Sequence, residues 1–408
     1  MPAPSGSVSS RRAVYLDHAA TTPMVPAAVA AFTEAAALLG NPSSLHASGR
    51  RVRALVEESR ERVAAVLGAH PTEVLFTSGG TEADNVAVVG SYAARTRADP
   101  RARGIVTSTI EHHAVLEPVE ALERSGARVR LVAPARDGVV PVSAVTAAMD
   151  DLTAAGSPAA VVSLMWANNE IGTVQPVEAV AAAARERGIT VHSDAVQAAG
   201  PYALSFAETG LDLMSVSAHK LGGPMGVGML LARRDAVLQP LVRGGGHERG
   251  LRSGTLPVAL IAAAAAALDA AQQRRDAERE RLVGLRDRLL EGALALGLGI
   301  AVGGSWTPGS ARDRLPGNAH LVVPGCEPDA LLYLLDAAGI EASTGSACQA
   351  GVPGRSHVLE AIGVPTDESI GVARLTLGWT TQADDVDRTL AALATCVPQA
   401  RAAYEVSA

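Results

Sequence analysis

The sequence predicts an α/β fold, with a mainly parallel seven-stranded sheet in a large domain and a small α+β domain after it. Three observations carry that expectation. Seven short apolar runs alternate with helical, alanine-rich stretches up to about residue 255, the order that strand–helix–strand crossovers produce. Beyond Pro257 the alternation stops, and one long helical region leads to a few short strands. The 408 residues are 48% hydrophobic and 19% charged, enough to bury a large core and too apolar for general disorder. Aromatic residues are only 3%, so Ala, Val and Leu must fill that core.

Residues 1–12, MPAPSGSVSSRR, read as a flexible tail with neither periodicity nor the apolar stretch of a signal peptide. The large domain is expected over 13–260, with an N-terminal segment that contributes to the small one. Its strands are expected at 74–77, 104–108, 128–132, 160–165, 189–192, 213–216 and 228–231, and its clearest helices at 81–95, 115–124 and 177–187. The small domain is expected over 261–408, with a boundary between 255 and 290. There Leu282, Leu285 and Leu289 form one helical stripe, and strands at 319–323 and 372–377 enclose a helix at 329–338. Ligands of a parallel sheet sit beyond the carboxyl ends of its strands.

Composition also excludes. With 35 basic and 42 acidic residues the net charge is −7, which argues against a nucleic-acid binder working through a basic surface. The longest apolar run, 257–271, is mostly alanine, contains Asp269, and is too short to span a bilayer. Three cysteines, Cys326, Cys348 and Cys396, make no disulfide framework and fit a reducing compartment. The expectation is a cytoplasmic enzyme or small-molecule binding protein.

Residues able to do chemistry come just after the candidate strands. Lys220 ends Ser215-Val-Ser-Ala-His-Lys220, ahead of a glycine-rich turn. Lysine is rarely buried unless paired or chemically used, and desolvation suits it to Schiff-base formation. Alone it reads better as a surface lysine. His192-Ser-Asp194-Ala-Val-Gln197 ends another apolar run. Asp194 could hold the pyridine nitrogen of pyridoxal phosphate (PLP), cap the next helix, or join His192 as a metal ligand. Thr77-Ser-Gly-Gly80-Thr81-Glu82 puts a glycine-rich turn at a helix start, where backbone amides make a phosphate cup. His112, in Glu111-His112-His113, could stack on a planar cofactor and move protons, although alone it reads better as a loop histidine without a role. The amides of Trp166-Ala-Asn168-Asn169-Glu170 could bind a ring hydroxyl or a carboxylate, or form a turn. Each signal is modest; their convergence after five strands is what the bland readings leave unexplained.

The ordered set Tyr15-Leu-Asp-His-Ala-Ala-Thr-Thr-Pro23, Asn41-Pro-Ser-Ser44, Thr81-Glu-Ala-Asp-Asn85, Glu111-His112, Asn168-Asn-Glu170, Asp194-Ala-Val-Gln197, Ser217-Ala-His-Lys220, Gly244-Gly-Gly-His-Glu-Arg249, Arg252-Ser-Gly-Thr255 and Gly345-Ser-Ala-Cys348 resembles the cysteine desulfurases. These are PLP enzymes of the class V aminotransferase group with fold type I architecture. The resemblance runs from about Tyr15 to about Thr381. One departure is Ala218, where glycine is common.

The resemblance implies a role for each matching residue. Lys220 holds PLP covalently and moves protons; Asp194 pairs with the pyridinium nitrogen, Gln197 bonds the ring hydroxyl, and His112 stacks on the ring. Gly80, Thr81, Ser217 and His219 bind the phosphate, joined by Thr255 of the partner subunit in a homodimer. Asn169 is a further cofactor-side amide, and Arg374 clamps the substrate carboxylate with help from Asn41. Cys348, in a segment of small residues, takes sulfur from L-cysteine and passes it to an acceptor protein for iron–sulfur assembly or another thiolation. No insert comes after Cys348, as in the longer-loop subgroup; Cys326 and Cys396 are expected to be structural. The implied reaction needs no metal, nucleic acid or membrane. The alternatives are a selenocysteine lyase, another class V PLP enzyme that does not need Cys348, and a metal-binding or sulfur-carrier protein. The last is disfavoured because the histidines lack a compact ligand spacing.

Overall fold

In a computed structural model that describes residues 12–345, 356–365 and 370–407, the chain opens on strand β1 (Val14–Tyr15), helix α1 (Pro26–Ala36) and helix α2 (Ala47–Leu67). Strands and helices then alternate: β2 (Val74–Thr77), α3 (Gly80–Ala98), β3 (Gly104–Ser108), α4 (His113–Arg124), β4 (Arg128–Val132) and α5 (Val142–Ala154). Next come β5 (Ala159–Ser163), α6 (Val177–Arg185), β6 (Thr190–Asp194), α7 (Phe206–Thr209), β7 (Leu213–Ser217) and β8 (Gly228–Ala232). The 38-residue α8 (Val258–Ala295) leads to β9 (Ala301–Val302), β10 (Asn318–Pro324), α9 (Pro328–Ala337), β11 (Ile340–Glu341), α10 (His357–Ala361), β12 (Ile370–Thr376) and α11 (Ala383–Ser407).

Strands β2 to β8 form one seven-stranded sheet in the order β2-β8-β7-β6-β5-β3-β4. All are parallel except β8, which runs antiparallel to both neighbours. Every residue of β5, β7 and β8 is buried, because helices cover both faces of such a sheet. In the large sheet two strand ends differ from the sequence expectation by two residues, the others by one at most. β6 runs on to Asp194, which stays in register with Ser215 of β7. β5 stops at Ser163, because the Met165 N–H is taken by the Glu111 carboxyl instead of a neighbouring strand.

A second sheet sets β10 between β9 and β12, and β1 pairs with β11. The side chains pack into two main cores. One surrounds the large sheet; the other gathers Val14 and Leu16 with Leu289, Leu321, Leu375 and Leu393. Helix α8 serves both, with residues 261–268 in or beside the first core and Leu282, Leu289 and Leu290 in the second. Its alanines are small enough to let α1 and α2 lie close against it. Among the described residues, no helix is long and apolar enough to cross a membrane.

Candidate active site

Strands β2, β3, β5, β6 and β7 point their carboxyl ends the same way, and a cavity of about 190 Å³ lies there. Its wall includes Gly80, Thr81, His112, Asn169, Asp194, Gln197, Ser217, Lys220 and Arg374. These residues span almost three hundred positions of sequence; all but Arg374, which β12 of the second sheet brings in, meet because strands of the large sheet end together.

Ser217 closes β7, and a single 3₁₀ turn, Ala218–Lys220, carries the lysine to the cavity. The Lys220 ammonium donates to the carbonyls of Ala19 and Ala20, at 2.6 and 2.7 Å. Gln197 Nε2 donates to the same Ala19 carbonyl at 3.0 Å. The segment after β1 therefore aims both side chains. Ala218 is fully buried, and its Cβ fits because Gly223 lies against it: a Cβ on Gly223 would stand 2.9 Å from that of Ala218.

Asp194 ends β6, buried, with Oδ1 accepting from the Val196 N–H at 2.8 Å. Burial pushes its carboxyl up to about 6, against the opposing pull of that N–H and of the Lys220 charge. A cation held against it would favour the carboxylate. His112 caps α4: its Nδ1 accepts from the Ala114 N–H at 3.1 Å. Burial, helped by the Lys220 charge, lowers its pKa to about 4. At neutral pH the imidazole is uncharged and carries its proton on Nε2.

The turn from β2 into α3 makes a cup. Helix α3 has no side-chain cap at Gly79, so its first amides are available to an anion. Close packing fixes the turn. A Cβ on Gly80 would stand 2.9 Å from Val196 Cγ2, and one on Gly228 of β8 only 2.5 Å from the Gly79 carbonyl carbon. Gly80, Thr81 and Ser217 all line this part of the cavity. Opposite, Arg374 of β12 is buried, donating from Nη2 to Asp17 Oδ1 at 2.8 Å and from Nη1 to the Asn169 carbonyl at 3.2 Å. Its Nε has no partner among the described residues, which leaves a donor for an incoming carboxylate.

Other expected residues lie elsewhere. His219 is off the cavity wall, with Nδ1 3.3 Å from Thr21 Oγ1. Asn41 and Thr255 are exposed and do not line the cavity; Asn41 Oδ1 accepts from the Ser43 N–H. Cys348 lies outside the described residues. His192 offers nothing to a metal, since its ring nitrogens meet Ser163 Oγ and Ser215 Oγ, each at 2.9 Å.

Three acids that the sequence left without roles stand close by. Asp84 is buried on the inner side of α3 and lines the cavity, 3.5 Å from His192 Nε2. Burial and the Asp194 charge hold its carboxyl well above the usual range. Its position three and four residues after Thr81 and Gly80 on α3 was the available signal. Glu170 accepts from Ser356 Oγ at 2.6 Å. Glu111 Oε1 accepts from Ser108 Oγ at 2.7 Å and from the Met165 N–H at 3.0 Å. Burial pushes the Glu111 carboxyl up to about 8 from its ordinary 4.5.

The folded chain thus keeps on Glu111 a proton that the unfolded chain releases above pH 4.5. The resulting stability is complete below pH 4.5 and is lost as the pH rises to about 8. Glu111→Gln keeps an oxygen for both donors and removes the titration. Thermal melts from about pH 5 to 8 are expected to fall less steeply in this variant than in the wild type; equal slopes would assign the loss to other groups.

Comparison with known proteins decides the family. The Aminotransferase class-V profile matches residues 14–389. An IscS-like cysteine desulfurase of Mycobacterium tuberculosis is 50% identical over 393 residues, covering 95% of this chain and 97% of its own length. This chain belongs to the cysteine desulfurases of the class V aminotransferase family. The cysteine desulfurase IscS of Dictyoglomus turgidum is 39% identical over 396 residues, covering 96% of each chain. The solved structure of a NifS-like protein superposes with a TM-score of 0.83 at 34% identity, over 94% of this chain and 98% of the other.

A cysteine desulfurase is PLP-dependent, and the cavity suits PLP. It offers an amine, an uncapped helix N-terminus for a phosphate, a neutral imidazole, and a buried acid whose raised pKa a pyridinium would bring down. When bound, PLP supplies the electron sink for the substrate's Cα.

Proposed function

We propose that this enzyme removes the sulfur of L-cysteine as a persulfide on Cys348, releases L-alanine, and hands the sulfur to an acceptor protein. The observation that carries this reading is the convergence of Lys220, Asp194, His112 and Arg374 on one cavity. Lys220 anchors PLP and moves the substrate's Cα proton through Nζ. Asp194 holds the pyridinium nitrogen, Gln197 the ring hydroxyl, and His112 lies on the ring. Gly80, Thr81 and Ser217 receive the phosphate, and His219, next to Lys220 in sequence, is a further phosphate-side residue by the family resemblance. Arg374 takes the substrate carboxylate, a role in which the family resemblance also enlists Asn41, and Asn169 is a further cofactor-side amide. The Cys348 thiolate then attacks the substrate sulfur. The S–S bond forms, the C–S bond breaks, and its electron pair stays with carbon, which is protonated to alanine.

The other cysteines suit this chemistry poorly. Cys326 and Cys396 are buried, donate to the Val323 and Leu334 carbonyls, and burial raises both thiols. Gly345, by contrast, lines the cavity. Cys348 follows Gly345 by three positions in the sequence, which supports its assignment to this site.

The working unit is a homodimer in which Thr255 of the partner subunit joins the phosphate site. Leu39 and Leu45 are 87% and 80% exposed, apolar surface of the kind an isologous interface covers. The enzyme acts in the cytoplasm, where its thiols stay reduced.

With PLP, L-cysteine and a reducing thiol, the protein is expected to release alanine and sulfide in equal amounts. Arg374→Gln is expected to raise KM for cysteine about 10- to 100-fold, the loss of a charge-assisted pair, while the protein still binds PLP. An unchanged KM would remove Arg374 from the substrate site.

A further inference from the structure

Outside the cavity, residues 242–255 form a loop that returns to the β2–α3 turn from behind. Two of its residues, Glu248 and Arg249, hold φ values of 48° and 59°. They are the only non-glycine residues with positive φ among those described. A Cβ disfavours that conformation, and it persists where surrounding contacts over-determine it.

Those contacts are specific. The buried Glu248 carboxylate accepts from Arg60 Nη1 and Nη2, at 2.9 and 2.8 Å, and from the Phe76 N–H at 2.7 Å. Arg60 Nη1 also donates to the Val74 carbonyl at 2.7 Å. Since β2 is an edge strand, this ion pair serves backbone groups that a further strand would otherwise pair. Further along the loop, Arg252 Nε donates to Glu82 Oε1 at 3.1 Å. Glu82 Oε2 in turn accepts from the Ser78 N–H at 2.5 Å. The loop therefore grips both arms of the turn, β2 through Glu248 and α3 through Glu82.

We propose that Glu248 and Arg252 are positioning residues for the cofactor phosphate. They lock residues 77–81 so that the amides at the start of α3 converge on a dianion. Neither lines the cavity, so their influence travels through the turn. The inference rests on the assignment of that turn to the phosphate.

The test titrates the apoprotein with PLP and with pyridoxal, which keeps the ring and aldehyde but lacks the phosphate. Wild-type protein is expected to prefer PLP. Arg252→Gln and Glu248→Gln are expected to reduce that preference about tenfold or more, the scale of a lost charge-assisted contact, with pyridoxal affinity unchanged. If Glu248→Gln fails to fold, shown by lost pyridoxal binding and a lost melting transition, Arg252→Gln decides alone. The Arg252→Gln loss is also expected to persist in a Thr255→Ala background; its disappearance there would mean action through Thr255 and would overturn the proposal. A preference unchanged in the variants would overturn it as well. Equal affinity of the wild type for PLP and pyridoxal would instead sink the phosphate assignment itself.

Discussion

Cys348→Ser is expected to cut cysteine turnover by roughly 10³-fold or more, the scale seen when a covalent nucleophile is removed. The variant keeps Lys220, Asp194 and His112, so it should still bind PLP and still change colour on addition of cysteine. Cys326→Ser and Cys396→Ser are expected to remain active, because those thiols are buried and bonded to carbonyls. The Cys348→Ser protein also separates a selenocysteine lyase, which would retain turnover of selenocysteine without the thiol. Cysteine turnover that survives in Cys348→Ser would contradict the persulfide route.

Lys220→Ala is expected to be at least as damaging. It removes both the covalent anchor of PLP and the base within reach of the substrate's Cα, and loss of general base catalysis alone costs about 10²- to 10⁴-fold. The folded structure should tolerate the change, since the lysine's bonds to the Ala19 and Ala20 carbonyls open onto the cavity, where water can replace the ammonium. A thermal melt close to wild type, together with lost turnover, is the expected pair of results. Activity within about tenfold of wild type would rule Lys220 out as the proton carrier.

Much of this site was legible because a parallel sheet writes it at predictable places. Most strands are short, largely apolar runs, so the chemically able residues at or just beyond their ends stand out; Lys220 after β7, Asp194 at the end of β6 and Gly80-Thr81 after β2 are conspicuous for that reason. The buried acids were not legible by the same logic. Glu111 sits beside a histidine that draws attention, and its burial depends on Ser108 and the Met165 N–H, partners that only the fold brings together. Asp84 reads as one more polar residue of a helix until α3 is laid on the sheet. Glu248 looks like a loop carboxylate, yet it is buried against Arg60, 188 positions away. Asn41 and Thr255 are exposed and stand off the cavity; in the proposed homodimer Thr255 would serve the partner's site, which a single chain does not display. Local pattern reveals the residues at a strand's end; long-range pairing decides which others are buried beside them.

The measurement that bears most directly on the account is borohydride reduction of the PLP-bound protein followed by peptide mapping. Reduction fixes the cofactor to the amine that holds it. The account predicts a single pyridoxyl group, on Lys220, absent from Lys220→Ala. A pyridoxyl group on any other residue, or none after saturation with PLP, would contradict it.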